Sequence, residues 1–559
     1  MSVDCLNSTP CFQITSDQQE GNIRAHIYNV KKHGILSHIS KSSFLIMLLL
    51  PFLTVILVSF DELSQIGTFN QRFFAEAVMA TPRKFRMVQP DGSLTPELSI
   101  VGGPRGHKIT DPNGYTVIET PESGAIVYAQ LELTSGKLIP SDLLVTNTTN
   151  ITKLEEKNIT LKGLEPTEEA KKVECKKFCT DEDEDDDYKF NVGNLTIHFS
   201  GNRKLYRNGK PKFSRWQNSS RHMQRLSMAD GTLRNLVILM KFSDHVDRDL
   251  PTIRDFDALM NKAGGHVTVA PTGSVRDVYL QSSYGKFDLV STVVGWVTLP
   301  ESESYYADGS SGSTSKFEEA LSYALDLLDQ VPKFSFEKYD KNGDSIIDSV
   351  MFVHSGYGAE WGAVDCSGQK YKDRIWSHKW RLKPNWVSSK GNYAVENYFT
   401  TSALFDPEVC GMSVHKTIAR IGTIAHELGH VLGLPDLYMG GSGIGSHGLM
   451  GNSWGFDGSQ LYPPQVSPWC KIMLGWVRPL VVRQSGNYIL SPSISTPEVI
   501  KISKGFPPNE YLLIENRQKK GFDAKLPKSG LIIYHIDEYA SFYKNPGYPL
   551  QEGWPENGN

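Results

Sequence analysis

Five residues between positions 426 and 436 have types and spacings that can do chemistry. His426, Glu427 and His430 form H-E-x-x-H, and Gly433 and Asp436 extend it to H-E-x-x-H-x-x-G-x-x-D. Residues four apart share one helix face, so the two imidazoles can address a single ion. Two imidazoles suit zinc, and a third protein ligand leaves one position open for water. Bound zinc lowers the pKa of that water from about 16 to about 7. Glu427, next to the first histidine, is placed to take the water's proton and pass it on.

This chemistry needs a helix with a sharp end. Val414, Ile418, Ile421, Ala425, Leu428 and Leu432 recur at spacings of four and three, which predicts a buried stripe beside the histidines. Ser413 reads as the N-cap and Gly433 as the C′ residue, and Pro435 bars continuation. Gly433 would then turn the chain and bring Asp436 back toward the metal. His447, in a glycine-rich loop, is the rival for the third ligand position.

The pattern resembles that of the metzincin metallopeptidases, in which it precedes a methionine-containing turn. Met450, within 446–454, is the candidate turn methionine. The surrounding sequence is similar to the immune inhibitor A-like family of secreted zinc peptidases. Residues 434–438 and 449–454 carry most of that likeness, and 283–286, 375–379 and 530–537 extend it. The resemblance implies an α+β fold: a metzincin-like catalytic domain with a twisted mixed sheet, a backing helix and an active-site helix, after a small β-rich pro-segment. It implies one catalytic zinc on His426, His430 and Asp436, with Glu427 as base and then acid. It also implies synthesis as a zymogen acting on protein or peptide substrates.

A chain of 559 residues is too long for one ordinary core. With 39% hydrophobic and 21% charged residues it reads as globular, and a net charge of −4 leaves no nucleic-acid footprint. Residues 1–43 form a polar tail that turns basic at Lys31, Lys32 and Lys41. Residues 44–60 are uncharged and mostly apolar, at the short limit for spanning a bilayer, and Asp61 and Glu62 follow. That asymmetry favours N-in, C-out. As a retained signal anchor the run makes a single-pass type II surface protein; as a signal peptide it makes a secreted one. Sequons at Asn147, Asn150, Asn158, Asn194 and Asn218 agree with export. Of seven cysteines, Cys175 with Cys179 and Cys366 with Cys410 are candidate pairs.

The domain reading follows. Residues 61–145, with strand-like runs at 85–88 and 115–118 around turns, form the pro-segment. Residues 146–230, holding the sequons and the acidic run 181–187, form a solvated glycosylated linker. Residues 231–559 form the catalytic domain with a C-terminal subdomain, read as stopping short of the family's full length. Strands are predicted at 236–240, 289–297, 349–353, 511–517 and 530–537, a short helix opens at Val275, and a capping box at Ser315 and Glu318 opens a helix to about Val331.

One more motif offers a metal site. Asp340, Asn342, Asp344 and Asp348 occupy positions 1, 3, 5 and 9 of a calcium-type loop, with the Ile346 carbonyl at position 7. It departs from an EF-hand at position 6, which is Ser345, and at position 12, which is Met351. A polar turn without metal is the plain alternative. For the whole chain the rival to a peptidase is an inactive surface glycoprotein that keeps the fold for binding. The intact Glu427 argues against it, because structural zinc needs no base.

Overall fold

A computed structural model describes chiefly residues 76–149, 228–405 and 418–538, with short breaks. Backbone strands are also described at Cys11–Ser16, Ile23–Tyr28, Tyr188–Val192 and Leu195–Phe199. The apolar run 44–60, both candidate cysteine pairs, four of the sequons, the acidic run and Ser413 lie outside the described residues. Among the described residues no helix is long and apolar enough to cross a membrane.

A two-residue strand, β1 (Glu76–Ala77), is followed by a five-stranded antiparallel meander. Its strands are β2 (Ser99–Gly103), β3 (Gly106–Thr110), β4 (Thr116–Glu119), β5 (Ile126–Leu131) and β6 (Leu138–Leu144). The run at 85–88 makes only isolated bridges, Phe85 to Leu98 and Val88 to Leu94, rather than a strand. The turn before β4 is held by the Asp111 carboxylate, which accepts the N–H groups of Asn113 and Tyr115.

The main sheet begins with β7 (Gly231–Lys241), β8 (Phe287–Thr298) and β9 (Val350–Tyr357). It is completed by β10 (His378–Val387) and β11 (Ala394–Leu404), and its order is β8-β7-β9-β11-β10-β1. The first four run parallel; β10 and β1 are antiparallel to their neighbours. The run 236–240 has no polar residue because both its faces are covered. Side chains alternate across a strand. Leu233, Val237 and Leu239 therefore enter one core, and Leu236, Ile238 and Met240 the other.

Helices α1 (Ile253–Asn261) and α2 (Val275–Ser282) cover the first face. Helix α3 (Ser315–Asp329) backs the second. The capping box foreseen for α3 is not made. Thr314 stands at the N-cap, and the Glu318 carboxylate instead accepts the Lys383 N–H of β10 at 3.1 Å. Burial pushes Glu318 up to about 7, against that hydrogen bond.

Helix α4 (Ile421–Val431) lies on the first face and is buried almost all round. It starts later than the apolar spacing suggested. Ile418 bridges Leu404, and the Ala419 N–H donates to the Ala403 carbonyl, so sheet pairing claims the residues before Arg420. A second sheet follows α5 (Pro468–Met473): β12 (Leu480–Val481), β13 (Ile500–Ile502), β14 (Glu510–Arg517) and β15 (Gly530–Asp537), in that order. From β14, the buried Arg517 pairs with Glu515 and Asp523 and donates to the His447 carbonyl. The second sheet thus braces the loop that carries Met450.

Candidate metal centre

The i, i+4 spacing on α4 sets the two imidazole rings edge to face, 4.7 Å between centroids, with their Nε2 atoms 3.1 Å apart. The other ring nitrogens are held from behind. His426 Nδ1 lies 3.0 Å from the Leu449 carbonyl and His430 Nδ1 2.8 Å from the Leu434 carbonyl. A carbonyl can only accept, so each Nδ1 carries the proton and each Nε2 presents a lone pair.

The helix ends where Gly433 takes φ +80°, a conformation few other residues adopt cheaply. The Leu434 N–H closes onto the Gly429 carbonyl and the Gly433 N–H onto the His430 carbonyl. That reversal returns Asp436, whose Oδ1 is 3.1 Å from His426 Nε2 and 3.3 Å from His430 Nε2. Burial works to raise the Asp436 pKa. The two imidazoles beside it, His430 foremost, outweigh it and hold the carboxyl well below the usual range.

Among the described residues, His426, His430 and Asp436 are the only set of three or more metal-type donors close enough to share one ion. Three converging donor atoms, with both imidazoles locked as acceptors, fit zinc. His447 is not part of the set. It stacks edge to face on Phe456, and its carbonyl takes bonds from Arg517 and Tyr534.

Met450 lies under the centre. A Cβ on Gly429 would come within 2.5 Å of Met450 Sδ, so only glycine in the last turn of α4 admits the methionine there. The Tyr279 hydroxyl of α2 bonds the Ala425 carbonyl and fixes α4 beside Met450.

Glu427 is fully buried. Its Oε1 accepts the Val78 N–H at 2.7 Å, from a residue 349 positions away. Val78 follows β1, which forms the edge of the sheet, antiparallel to β10 through His378 and Lys379. The Trp376 indole N–H donates to the Val78 carbonyl at 2.9 Å, and the Trp454 indole N–H to the Met79 carbonyl at 3.0 Å. The Thr81 N–H donates to the Glu360 carbonyl. An extended segment of the N-terminal unit therefore lies across the centre. Residue spacing pointed to none of Val78, Trp376, Trp454 or Glu360 as site residues; Trp376 and Trp454 stood only in the family-like runs 375–379 and 449–454.

The loop 340–348 is closed by its own backbone. Asp340 accepts the N–H groups of Gly343, Asp344 and Ser345, and Asp348 that of Lys341. Ser345 takes φ +68° at the position where an EF-hand has glycine. Cys470, in the same core as α4, is a buried free thiol, and burial pushes it up to about 12.

Comparison with known proteins falls on this same domain. Residues 231–476 match the family described as immune inhibitor A peptidase M6, catalytic domain. Over these residues the chain is similar to that catalytic domain. Immune inhibitor A of Bacillus thuringiensis subsp. alesti is 32% identical over 181 residues, 29% of this chain and 25% of that protein. The pre-pro-metalloprotease PrtV of Vibrio cholerae serotype O1 (strain M66-2) is 30% identical over 181 residues, 30% of this chain and 19% of that protein. The matched region thus spans a quarter or less of these relatives. The M6 likeness agrees with the resemblance read from 434–438 and 449–454, and both relatives' names fit a peptidase.

Proposed function

We propose that the chain is an exported zinc endopeptidase held latent by its own N-terminal unit. One observation carries the reading: three metal donors within 3.3 Å of one another, with the Glu427 carboxylate next to the first of them and engaged by a peptide N–H. His426, His430 and Asp436 would hold the zinc. When bound, it supplies an acidified water and a polarised scissile carbonyl. Glu427 takes a proton from the water and delivers it to the leaving amine. The carbonyls of Leu449 and Leu434 keep both imidazoles in the ligating tautomer.

Latency follows from where Val78 sits. Its N–H engages one oxygen of the Glu427 carboxylate, and residues 76–81 fill the place of an extended substrate, so a substrate is kept from the base. Residues 61–145 act as the pro-segment in this reading. Export rests on the apolar run 44–60 and the sequons. Calcium in the loop 340–348 belongs to the same proposal, supported by the spacing of its oxygen side chains.

The test is casein or peptide turnover by the purified full chain before and after limited proteolysis. Activity should rise on loss of the N-terminal unit and vanish with a chelator. Turnover that a chelator leaves untouched, or none after clean removal of the unit, would reject the reading.

A further inference from the structure

The segment lying in the cleft is held by two kinds of contact. The first kind reaches only its backbone: the indole N–H groups of Trp376 and Trp454 on successive carbonyls, and the Glu360 carbonyl on the Thr81 N–H. Any peptide carries those groups, so these partners are available to whatever replaces the segment. Glu360 is fixed for this work, its carboxylate accepting the N–H and hydroxyl of Ser377.

The second kind reads a side chain. The Arg83 guanidinium lies over the Trp361 ring, 5.1 Å from its centroid, and within 6.0 Å of the Phe405 ring. These rings meet edge to face at 4.7 Å, and Trp361 meets Trp454 the same way at 4.9 Å. The cation-bearing ledge is therefore continuous with the backbone clamp. Trp361 and Phe405 are buried under the N-terminal unit, sharing a core with Val78, Ala80, Phe85 and Ile100. Removal of that unit uncovers them. Arg420 also lies over Phe405, at 5.0 Å, so selection for a second cation falls on the Trp361 face.

We propose that Trp376 and Trp454 clamp the substrate backbone, and that Trp361 with Phe405 selects an arginine or lysine five residues downstream of the residue beside Glu427. This deepens the peptidase reading and rests on it. The substrate class is a peptide extended over the places of residues 76–81 and bending at those of 82–83, with a basic side chain at the last.

The experiment measures binding rather than turnover. A fluorescent peptide of residues 76–83 is titrated, by anisotropy, onto the full chain carrying Arg83→Glu and Glu427→Gln. The first change loosens the chain's own segment and the second stops hydrolysis. Competition from that segment is the same for every peptide, so ratios are preserved. The peptide with arginine at its last position should bind about two- to fivefold tighter than the same peptide with alanine or glutamate, as an exposed cation–π contact allows. Adding Trp361→Leu should erase the ratio. Adding Trp376→Phe should weaken all three peptides alike, by roughly two- to tenfold for one lost hydrogen bond. Equal binding of the three, tighter binding of the glutamate peptide through Arg420, or no binding overturns the proposal. Cleavage of the arginine peptide by the activated wild-type chain is scored separately and bears on the peptidase reading alone.

Discussion

The two walls of the cleft are built in opposite ways. The metal wall comes from eleven consecutive residues, 426–436, in which one helix turn aligns two imidazoles and one glycine reverses the chain. The peptide wall joins residues 298, 349 and 375 positions apart in the pairs Trp376–Val78, Glu427–Val78 and Trp454–Met79. Glu427 belongs to both. A short-range motif therefore builds the chemistry, while long-range packing decides whether that chemistry is reachable.

The largest effect should come from the residue the walls share. In the proteolytically activated chain, Glu427→Gln should lower turnover by roughly 10² to 10⁴ while zinc content stays stoichiometric, since Glu427 is not a donor. Full activity in that variant, with zinc measured on the same sample, would remove Glu427 from the mechanism.

The next test stays on the metal wall. Asp436→Ala should weaken zinc binding beyond the roughly 10- to 100-fold that an outer-shell change costs. His447→Ala should leave zinc bound, because its side chain faces Phe456. The reverse pattern in a zinc titration would reassign the third ligand.

Smaller in energy is the support beneath the centre. Gly429→Ala drives a methyl into Met450 and should cost about 1–3 kcal/mol of stability, seen as a lowered thermal midpoint. Gly429→Ala combined with Met450→Ala should recover part of that loss. A single variant as stable as the wild type would mean that Met450 does not brace α4.

The smallest effect belongs to the loop 340–348, which asks whether a second local motif is also a site. Burial, with Asp340 and Asp344 nearby, pushes Asp348 up to about 6, against the bond from the Lys341 N–H. A carboxyl raised in the folded state favours folding fully only below its unfolded pKa near 4. Without calcium, stability should therefore fall as pH rises from about 4 through about 6, and Asp348→Asn should flatten that slope. Calcium should offset the loss and raise the melting temperature, and Asp344→Ala should abolish the rise. A melting temperature indifferent to millimolar calcium at pH 7 would leave the loop a polar turn.

Much of the catalytic domain was legible in the sequence where one element carries its own reason. The run 236–240 had to be a strand covered on both faces, and it divides its side chains between two cores. Gly433 had to end α4 because few other residues take its backbone angle at low cost. Legibility failed where a distant partner outbid a local one. Ile418 continued the helical spacing, yet the C-terminal end of β11 claimed it. Glu318 had the spacing of a capping box, yet the Lys383 N–H took its carboxylate.

By itself the sequence determined the candidate donor set and its order along the chain, because helical pitch and one glycine turn are properties of adjacent residues. Only the tertiary structure decided that Leu449 and Leu434 carbonyls set the imidazole tautomers, that Met450 fits against Gly429, and that Val78 lies on Glu427. Each of these depends on which surfaces meet when the sheets and helices bury their apolar faces. Burial has no direction along the chain, so nothing in the spacing of Val78, Trp376 and Trp454 announces that they will touch.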